Sequence, residues 1–382
     1  MMLYVDYIGS VPNPKYKYHG GSNYTKKIIL YLLEHLEDRH SVCVIWPRWH
    51  RPGDELEEKI YHSKRCMIMQ ADEINKSIHV QENSVFFFPL LRTRRFPILE
   101  KVKQYWPSAK ICLTNHDVRW IDIVPDKYDA FYAVKYSYAL ELAKYIVLKQ
   151  LYSVCIKKYL KHADKIFTVS NDALQKLVRI IPVVNINYYY EMAFIETNPV
   201  QKRFYQEYIL FVSGGRKEKN FARALEAFCR YKKETQNQMY LFVTGITSDI
   251  LKRLCRNPKT DAELVKKWVK VFPYVDYRTL SDLYRQCRFL FYPSKNEGFG
   301  LPVLEAALYG KKAVASYVSS IPEVMGCFET YVNPYSVESM KNALVWMEKN
   351  CQPDAAFYEK IEMVKKEGEM DMKQFAKDLL DF

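Results

Sequence analysis

Short, wholly apolar runs recur along this chain, each followed by a polar turn and then by a stretch of helical periodicity. This alternation restricts the fold more than any other feature. The first series is Met2–Ile8, Ser41–Trp46, Ser84–Phe88, Lys110–Thr114 and Lys165–Val169. The second is Tyr208–Val212, Met239–Thr244, Val269–Phe272, Phe289–Tyr292 and Lys312–Ala315. A run apolar at nearly every position suits a strand buried on both faces, as in a parallel sheet covered by helices. Tyr136–His162, 336–349 and 355–382 read as helices, and Ser22 or Asn23 as the cap of the helix after the first strand. Val183–Thr197, with its three consecutive tyrosines, reads as irregular, and 197–207 as a linker. A length of 382 residues suits two domains. The expectation is an α/β protein with two Rossmann-like domains facing a central cleft.

Glycine is scarce, 12 residues in 382, where about 7% is usual. A chain that uses it sparingly keeps it where φ is positive or where backbones must approach closely. Several glycines follow an apolar run and precede a helix: Gly20-Gly21, Gly214-Gly215, and Gly298 with Gly300. In SGGRKEKN, a glycine turn before a helix would offer backbone N–H groups to an anion, with Arg216 and Lys219 adding full charge. A diphosphate fits that pattern. A solvated turn fits it too, since Glu218 stands among the cations. In LTNHDVRW, His116 and Asp117 fall at the carboxyl end of a strand, where an imidazole can donate to a hydroxyl or move a proton. A turn in which Asp117 caps a helix is the other reading.

The stretch NEGFGLPVLEA places Glu297 and Glu305 around a Gly-Phe-Gly spacer with an exposed-looking aromatic, Phe299. Pro302 suits the first turn of a helix, so a helix is expected from about Leu301. Carboxylates accept paired hydrogen bonds from adjacent hydroxyls of a ribose or a sugar ring. An acid near a helix N-terminus is also favoured by the helix dipole, which accounts for Glu305 but not for the spacer.

Composition removes several classes. Nine scattered cysteines, with no paired or zinc-like spacing, point to a reduced cytosolic compartment without disulfides or structural zinc. No apolar run reaches the length of a membrane span. The charge of +13 is spread over both halves and suits an anionic partner, or simply a lysine-rich proteome. No nucleic-acid motif accompanies it. The segment 142–163 is rich in lysine, free of acids and interleaved with apolar residues. It reads as an anionic-membrane contact or as an ordinary surface helix. Arg92, Arg94 and Arg95 form a second basic stretch of the same ambiguity.

PSKNEGFGLPVLEAALYGKKAVASYVSSIPEV resembles the signature of retaining family 4 glycosyltransferases of the GT-B fold, with Glu297 and Glu305 matching the E-x7-E pair. GGRKEKN resembles their diphosphate site, NHD their His-Asp strand end, and HGGSNY their N-terminal glycine loop. The resemblance covers most of residues 18–335. It implies an acceptor-side domain over 1–198, with the C-terminal helix of about 368–382 packing back on it, and a nucleotide-sugar domain over 199–367. It also implies catalytic or leaving-group roles for His116, Glu297, Arg216 and Lys219. Donor contacts would come from Gly20, Gly21, Gly214, Gly215, Gly298, Phe299, Gly300, Leu301 and Glu305. No metal or cofactor is expected beyond the co-substrate, a UDP- or GDP-linked sugar. The acceptor would be a glycan or a lipid-linked glycan, met by a cytoplasmic protein at the inner membrane face and used in polysaccharide or lipopolysaccharide synthesis. The sequence departs from the family in the short Arg216-to-Lys219 gap, where Lys217 could substitute, and in the bulky Tyr309 before Gly310. A non-catalytic binder of sugar nucleotides is the alternative.

Overall fold

A computed structural model describes residues 1–11, 20–37, 40–91, 97–181, 186–190, 199–326 and 329–381. Arg92, Arg94 and Arg95, and most of the segment read as irregular before the linker, lie outside the described residues. Contacts divide the chain into two units. One comprises Met1–Val118, Gln150–Met192 and Glu367–Phe382; the other comprises Arg119–Lys149 and Ala193–Lys366.

In the first unit the described strands are β1 (Met2–Asp6), β2 (Ser41–Trp46), β3 (Cys66–Gln70), β4 (Val85–Phe88), β5 (Lys110–Asn115), β6 (Lys165–Thr168) and β7 (Ile186–Tyr188). They form one sheet in the order β3-β2-β1-β4-β5-β6-β7, with parallel pairing throughout. The apolar runs are buried as expected; every residue of β4 is inaccessible. β3 and β7 were not anticipated. They are the sheet's edge strands and are half-buried or exposed; β7 is only three residues long, and the apolar run Cys66–Met69 of β3 holds one β-branched residue and no aromatic. The helix Ala355–Leu380 buries Met372, Phe375 and Leu379 in this unit. Phe375 lies 4.7 Å from Phe167 between ring centroids, and Lys165 Nζ donates to the Asp378 carbonyl at 2.6 Å. Burial of a side chain such as Phe375 stabilises by roughly 1.5–3 kcal/mol.

In the second unit the described strands are β8 (Tyr208–Phe211), β9 (Tyr240–Val243), β10 (Val269–Val271), β11 (Leu290–Tyr292), β12 (Ala313–Ser316) and β13 (Thr330–Val332). Their order is β10-β9-β8-β11-β12-β13, again all parallel. The order reverses direction between β1 and β4 in one sheet and between β8 and β11 in the other. In open α/β sheets the crevice beyond the carboxyl ends at such a reversal is where ligands bind.

The helix Phe221–Thr235 follows β8 and is buried almost all round. Its periodicity alone would put Arg223 and Glu226 on a solvated face. Instead Arg223 is 5% and Glu226 0% exposed. Arg223 finds its counter-charge on the segment Arg119–Lys149, while Glu226 pairs with Arg230 of its own helix at 2.7 Å and takes a further hydrogen bond from that segment. Asp126 pairs with Arg223 at 2.6 Å, and the Tyr128 hydroxyl donates to Glu226 at 2.9 Å. This corrects the expectation that 1–198 is one domain. A buried ion is tolerated only when paired, and the carboxylate that pairs Arg223 is on that segment. Ser22 and Asn23 are also corrected: the helix begins at Gly20, so both lie inside it.

Glu329 precedes β13 and is 7% exposed. One of its oxygens accepts the Ala313 N–H, and burial drives its carboxyl well above the usual range. The native state therefore holds a proton that the unfolded chain releases above about pH 4.5, so stability falls as pH rises past that point. Glu329→Gln should raise the melting temperature, by more at pH 8 than at pH 5; thermal scans at the two pH values check this.

Candidate functional site in the second unit

The loops after β8 and β11 flank the order reversal of the second sheet. The first carries Arg216 and Lys219, the second Glu297. Their local geometry follows from a few backbone positions. Ser213 and Asn220 both adopt positive φ, 62° and 66°, and bound the turn. Asn220 is held there by its side chain, whose amide donates to the carbonyls of Pro293 at 3.0 Å and Pro334 at 2.6 Å. The turn after β8 is thus tied to the strand end of β11.

Gly214 and Gly215 serve close approach. A Cβ on Gly214 would lie 2.6 Å from Val243, and one on Gly215 would lie 2.4 Å from the Gly245 carbonyl oxygen. Their N–H groups donate to Thr244 at 2.9 Å and to Gly245 at 3.1 Å. This corrects the expectation that the glycine turn presents free N–H groups to a phosphate. The glycines are present because two strand-end loops touch there.

At the centre is a buried trio. Lys219 Nζ donates to Glu297 Oε1 at 2.6 Å and to the Tyr292 hydroxyl, and that hydroxyl donates to Glu297 Oε1 at 2.7 Å. The Lys219 and Glu297 side chains are 6% and 11% exposed. Burial lowers the Lys219 pKa, and Glu297 opposes that shift. Arg216 pairs with Glu218 through Nε at 2.6 Å. Burial acts to raise the Glu218 carboxyl, but Arg216 and Lys219 outweigh it and hold it below the ordinary range. Lys217 pairs with Glu141. Each cation of the loop therefore faces a carboxylate, so a diphosphate arriving here must draw Arg216 or Lys219 from an existing partner.

The Glu297 loop is set by Ser319, whose Oγ accepts the Glu297 N–H at 2.9 Å, and by Ser320, whose Oγ donates to the Glu297 carbonyl at 3.3 Å. Lys295, two residues earlier, is buried against Asp129 at 2.6 and 2.7 Å. Of the two spacer glycines only Gly300 has positive φ, 104°; it caps the helix Leu301–Leu308, with Pro302 in the first turn. Phe299 is 3% exposed, which corrects the expectation of an exposed aromatic. Gly298 lies beside Glu297 and is half-buried. Glu305 accepts the Tyr284 hydroxyl at 2.9 Å, and Tyr284 stacks on Tyr309 with centroids 5.9 Å apart. The bulky residue before Gly310 is therefore half of an aromatic pair that supports Glu305.

The remaining expected residues are in the first unit. His116 follows β5. Its Nε2 lies 3.0 Å from the Pro89 carbonyl oxygen, so that nitrogen carries the proton. The edge of Tyr24 packs on the ring at 4.5 Å, and burial lowers the imidazole pKa. A neutral ring with this tautomer offers Nδ1 as an acceptor, not as the donor expected for a sugar hydroxyl. Gly20 and Gly21 open the helix Gly20–His35. Tyr292, Tyr284, Asn220 and Ser319 were not anticipated. Tyr292 and Tyr284 are buried, and it is their hydroxyl partners, Glu297 and Glu305, that tie them to the site. Among the described residues no group of three or more His, Cys, Asp or Glu gathers as a metal site.

With this geometry in view, comparison with known proteins shows what the chain is similar to. Residues 195–363, somewhat under half of the chain, match the family model described as glycosyl transferases group 1. The O-antigen chain mannosyltransferase B of Escherichia coli is 31% identical over 151 residues, which is 38% of each chain. The serotype-specific mannosyltransferase WbdA of Escherichia coli is 29% identical over 217 residues, 53% of this chain and 26% of that protein. The chain thus spans well under two thirds of the length of these relatives. Among solved structures, Anabaena HepE, determined with UDP and glucose, matches with a TM-score of 0.64 at 13% identity, over 100% of this chain and 99% of that one. That likeness shows the fold, the two-sheet α/β architecture of GT-B glycosyltransferases.

Lys219→Met removes the cation from a buried pair and leaves Glu297 uncompensated. It should destabilise the protein by about 3–5 kcal/mol. The double variant Lys219→Met/Glu297→Gln should recover a large part of that loss. Urea unfolding of the three proteins forms the cycle that checks it.

Proposed function

We propose that this chain is a retaining glycosyltransferase that moves a sugar from a UDP- or GDP-linked donor to a hydroxyl of a glycan or lipid-linked acceptor, in O-antigen or related polysaccharide synthesis. The observation that carries the reading is the juxtaposition of Arg216, Lys219 and Glu297 at the reversal point of the second sheet, with Glu305 one turn into the following helix. A diphosphate takes Arg216 and Lys219 as its counter-charges. Glu297, released from Lys219, turns its carboxylate to sugar hydroxyls, and Glu305, braced by Tyr284, takes the ribose. Charge that develops on the departing nucleotide diphosphate is stabilised by the cations already at hand. The matched family and the O-antigen mannosyltransferase relatives support this reading, and they favour mannose as the sugar. They lend nothing to the non-catalytic alternative.

An anionic membrane surface is the proposed place of work. No described helix is long and apolar enough to cross a membrane. The helix Tyr138–Leu160 leaves Leu140, Val147, Leu151 and Val154 between 56% and 68% exposed. Their spacing puts them on one stripe; Lys144 is exposed beside it, and Lys149 and Lys157 are exposed on the other sides of the helix. Apolar residues with basic neighbours suit the headgroup region of anionic lipid.

Purified protein should gain thermal stability from one nucleotide sugar of a panel and hydrolyse it slowly. Glu305→Ala should weaken that response at least about tenfold. A flat response to every donor would overturn the reading. In flotation with vesicles of phosphatidylcholine and phosphatidylglycerol, the protein should rise with the lipid at low salt. Lys144→Glu/Lys149→Glu should leave it in the soluble fraction, and equal flotation of both proteins would remove the membrane claim.

A further inference from the structure

The first unit carries a second built feature at the carboxyl edge of its sheet. β2 ends at Trp46, and Pro47–Gly53 leads to the helix Glu55–Tyr61. This loop is pinned at four points. The His50 N–H donates to Pro47 at 3.0 Å. The Trp46 indole N–H donates to the His50 carbonyl at 2.9 Å. His50 Nε2 lies 3.0 Å from Glu57 Oε2, and the Gly53 N–H donates to the same oxygen at 2.7 Å. Beneath the loop, Glu57 is 1% exposed and accepts the Tyr7 hydroxyl on its other oxygen, with Lys26 Nζ 3.5 Å away. Lys26 also pairs with Asp54, which caps the helix by accepting the Glu57 N–H at 2.9 Å. Trp46 stacks on Tyr7 at 4.4 Å.

This network holds the loop in one shape, and the loop holds Trp49 out in water, 70% exposed. A single exposed apolar side chain needs no explanation. A tryptophan raised on a loop with four pins, above a buried charged network at the strand ends where ligands bind, is a different matter. Packing does not require it, and rigid display is what recognition of a shaped partner requires.

We propose that the loop Pro47–Gly53 is a carbohydrate subsite for the acceptor, in which Trp49 stacks on a sugar ring and His50, oriented by Glu57, hydrogen-bonds a hydroxyl of the same ring. The inference rests on the glycosyl-transfer reading. A pyranose has a face of C–H groups and a rim of hydroxyls. An indole face meets the first by dispersion with little entropy to lose. The half-buried imidazole meets the rim: with its Nε2 proton directed to the Glu57 carboxylate, Nδ1 is an acceptor when the ring is neutral. A tryptophan beside Arg48 and Arg51 would also suit a lipid interface. The pins favour the glycan, because an interfacial anchor in fluid headgroups needs no fixed geometry.

The test titrates an α-linked mannotriose into the full chain and follows binding by saturation-transfer NMR and calorimetry. The wild type should bind it. Trp49→Phe should keep most of the affinity, Trp49→Ala should lose about tenfold, and His50→Ala about fivefold. Thermal stabilisation by the nucleotide donor should be the same in all four proteins. The subsite is overturned if the wild type does not bind the trisaccharide, or if Trp49→Ala binds it as the wild type does. It is equally overturned if Trp49→Ala leaves trisaccharide binding intact but loses flotation with phosphatidylcholine–phosphatidylglycerol vesicles. A missing donor response alongside intact trisaccharide binding would sink the transferase reading and leave the subsite standing.

Discussion

The buried pair of Lys219 and Glu297 is the interaction on which the candidate site depends. It joins the loop after β8 to the loop after β11, the two strands between which the sheet order reverses. Two charges out of water are costly unless each finds the other together with further hydrogen bonds. Tyr292 supplies the extra bond, and Ser319 and Ser320 hold the backbone that carries Glu297. The arrangement keeps a cation ready in a water-poor place without leaving it uncompensated. The carboxylate that compensates it is also the group that the proposed function turns toward a sugar.

A second set of buried charges determines what belongs to the second unit. Arg223 and Lys295 would each be an uncompensated burden were it not for Asp126 and Asp129, and Tyr128 adds a hydrogen bond to Glu226, whose counter-charge is Arg230. The Arg223 guanidinium also lies 4.2 Å from the centre of the Tyr128 ring. These contacts bring Arg119–Lys149 onto the helix Phe221–Thr235 and against the residue two before Glu297. The loop that carries Glu297 is thus braced by a segment whose Asp129 lies 166 residues before Lys295 in the chain.

Much of the fold was legible because its strands are buried on both faces, and such strands announce themselves as continuous apolar runs. β7 and β13 were not, because three-residue half-exposed edge strands carry no such pattern, and β3 was not, because its run Cys66–Met69 holds one β-branched residue and no aromatic. The acids, the cations and Pro302 of the site were legible because their residue types and spacing carry chemical meaning. The reason for the glycines was not. Gly214 and Gly215 looked like a phosphate cradle, and they are in fact the contact between two strand-end loops. Nothing local distinguishes these cases, since both call for the absence of a Cβ.

The sequence by itself determined two series of buried strands and the helix beginning at Leu301. These depend on local propensity and periodicity, which travel with the chain; the grouping of Arg216, Lys219, Glu297 and Glu305 as one site came from the resemblance to the glycosyltransferase signature. Only the tertiary structure decided that Lys219 is neutralised by Glu297, that Glu305 rests on Tyr284, and that Asp126 and Asp129 serve the second unit. It alone showed that a buried network under Pro47–Gly53 leaves Trp49 raised in solvent. Each of these is a pairing between residues far apart in sequence. It is selected by the cost of burying a charge or a hydroxyl alone, a cost that exists only once the surrounding core has formed.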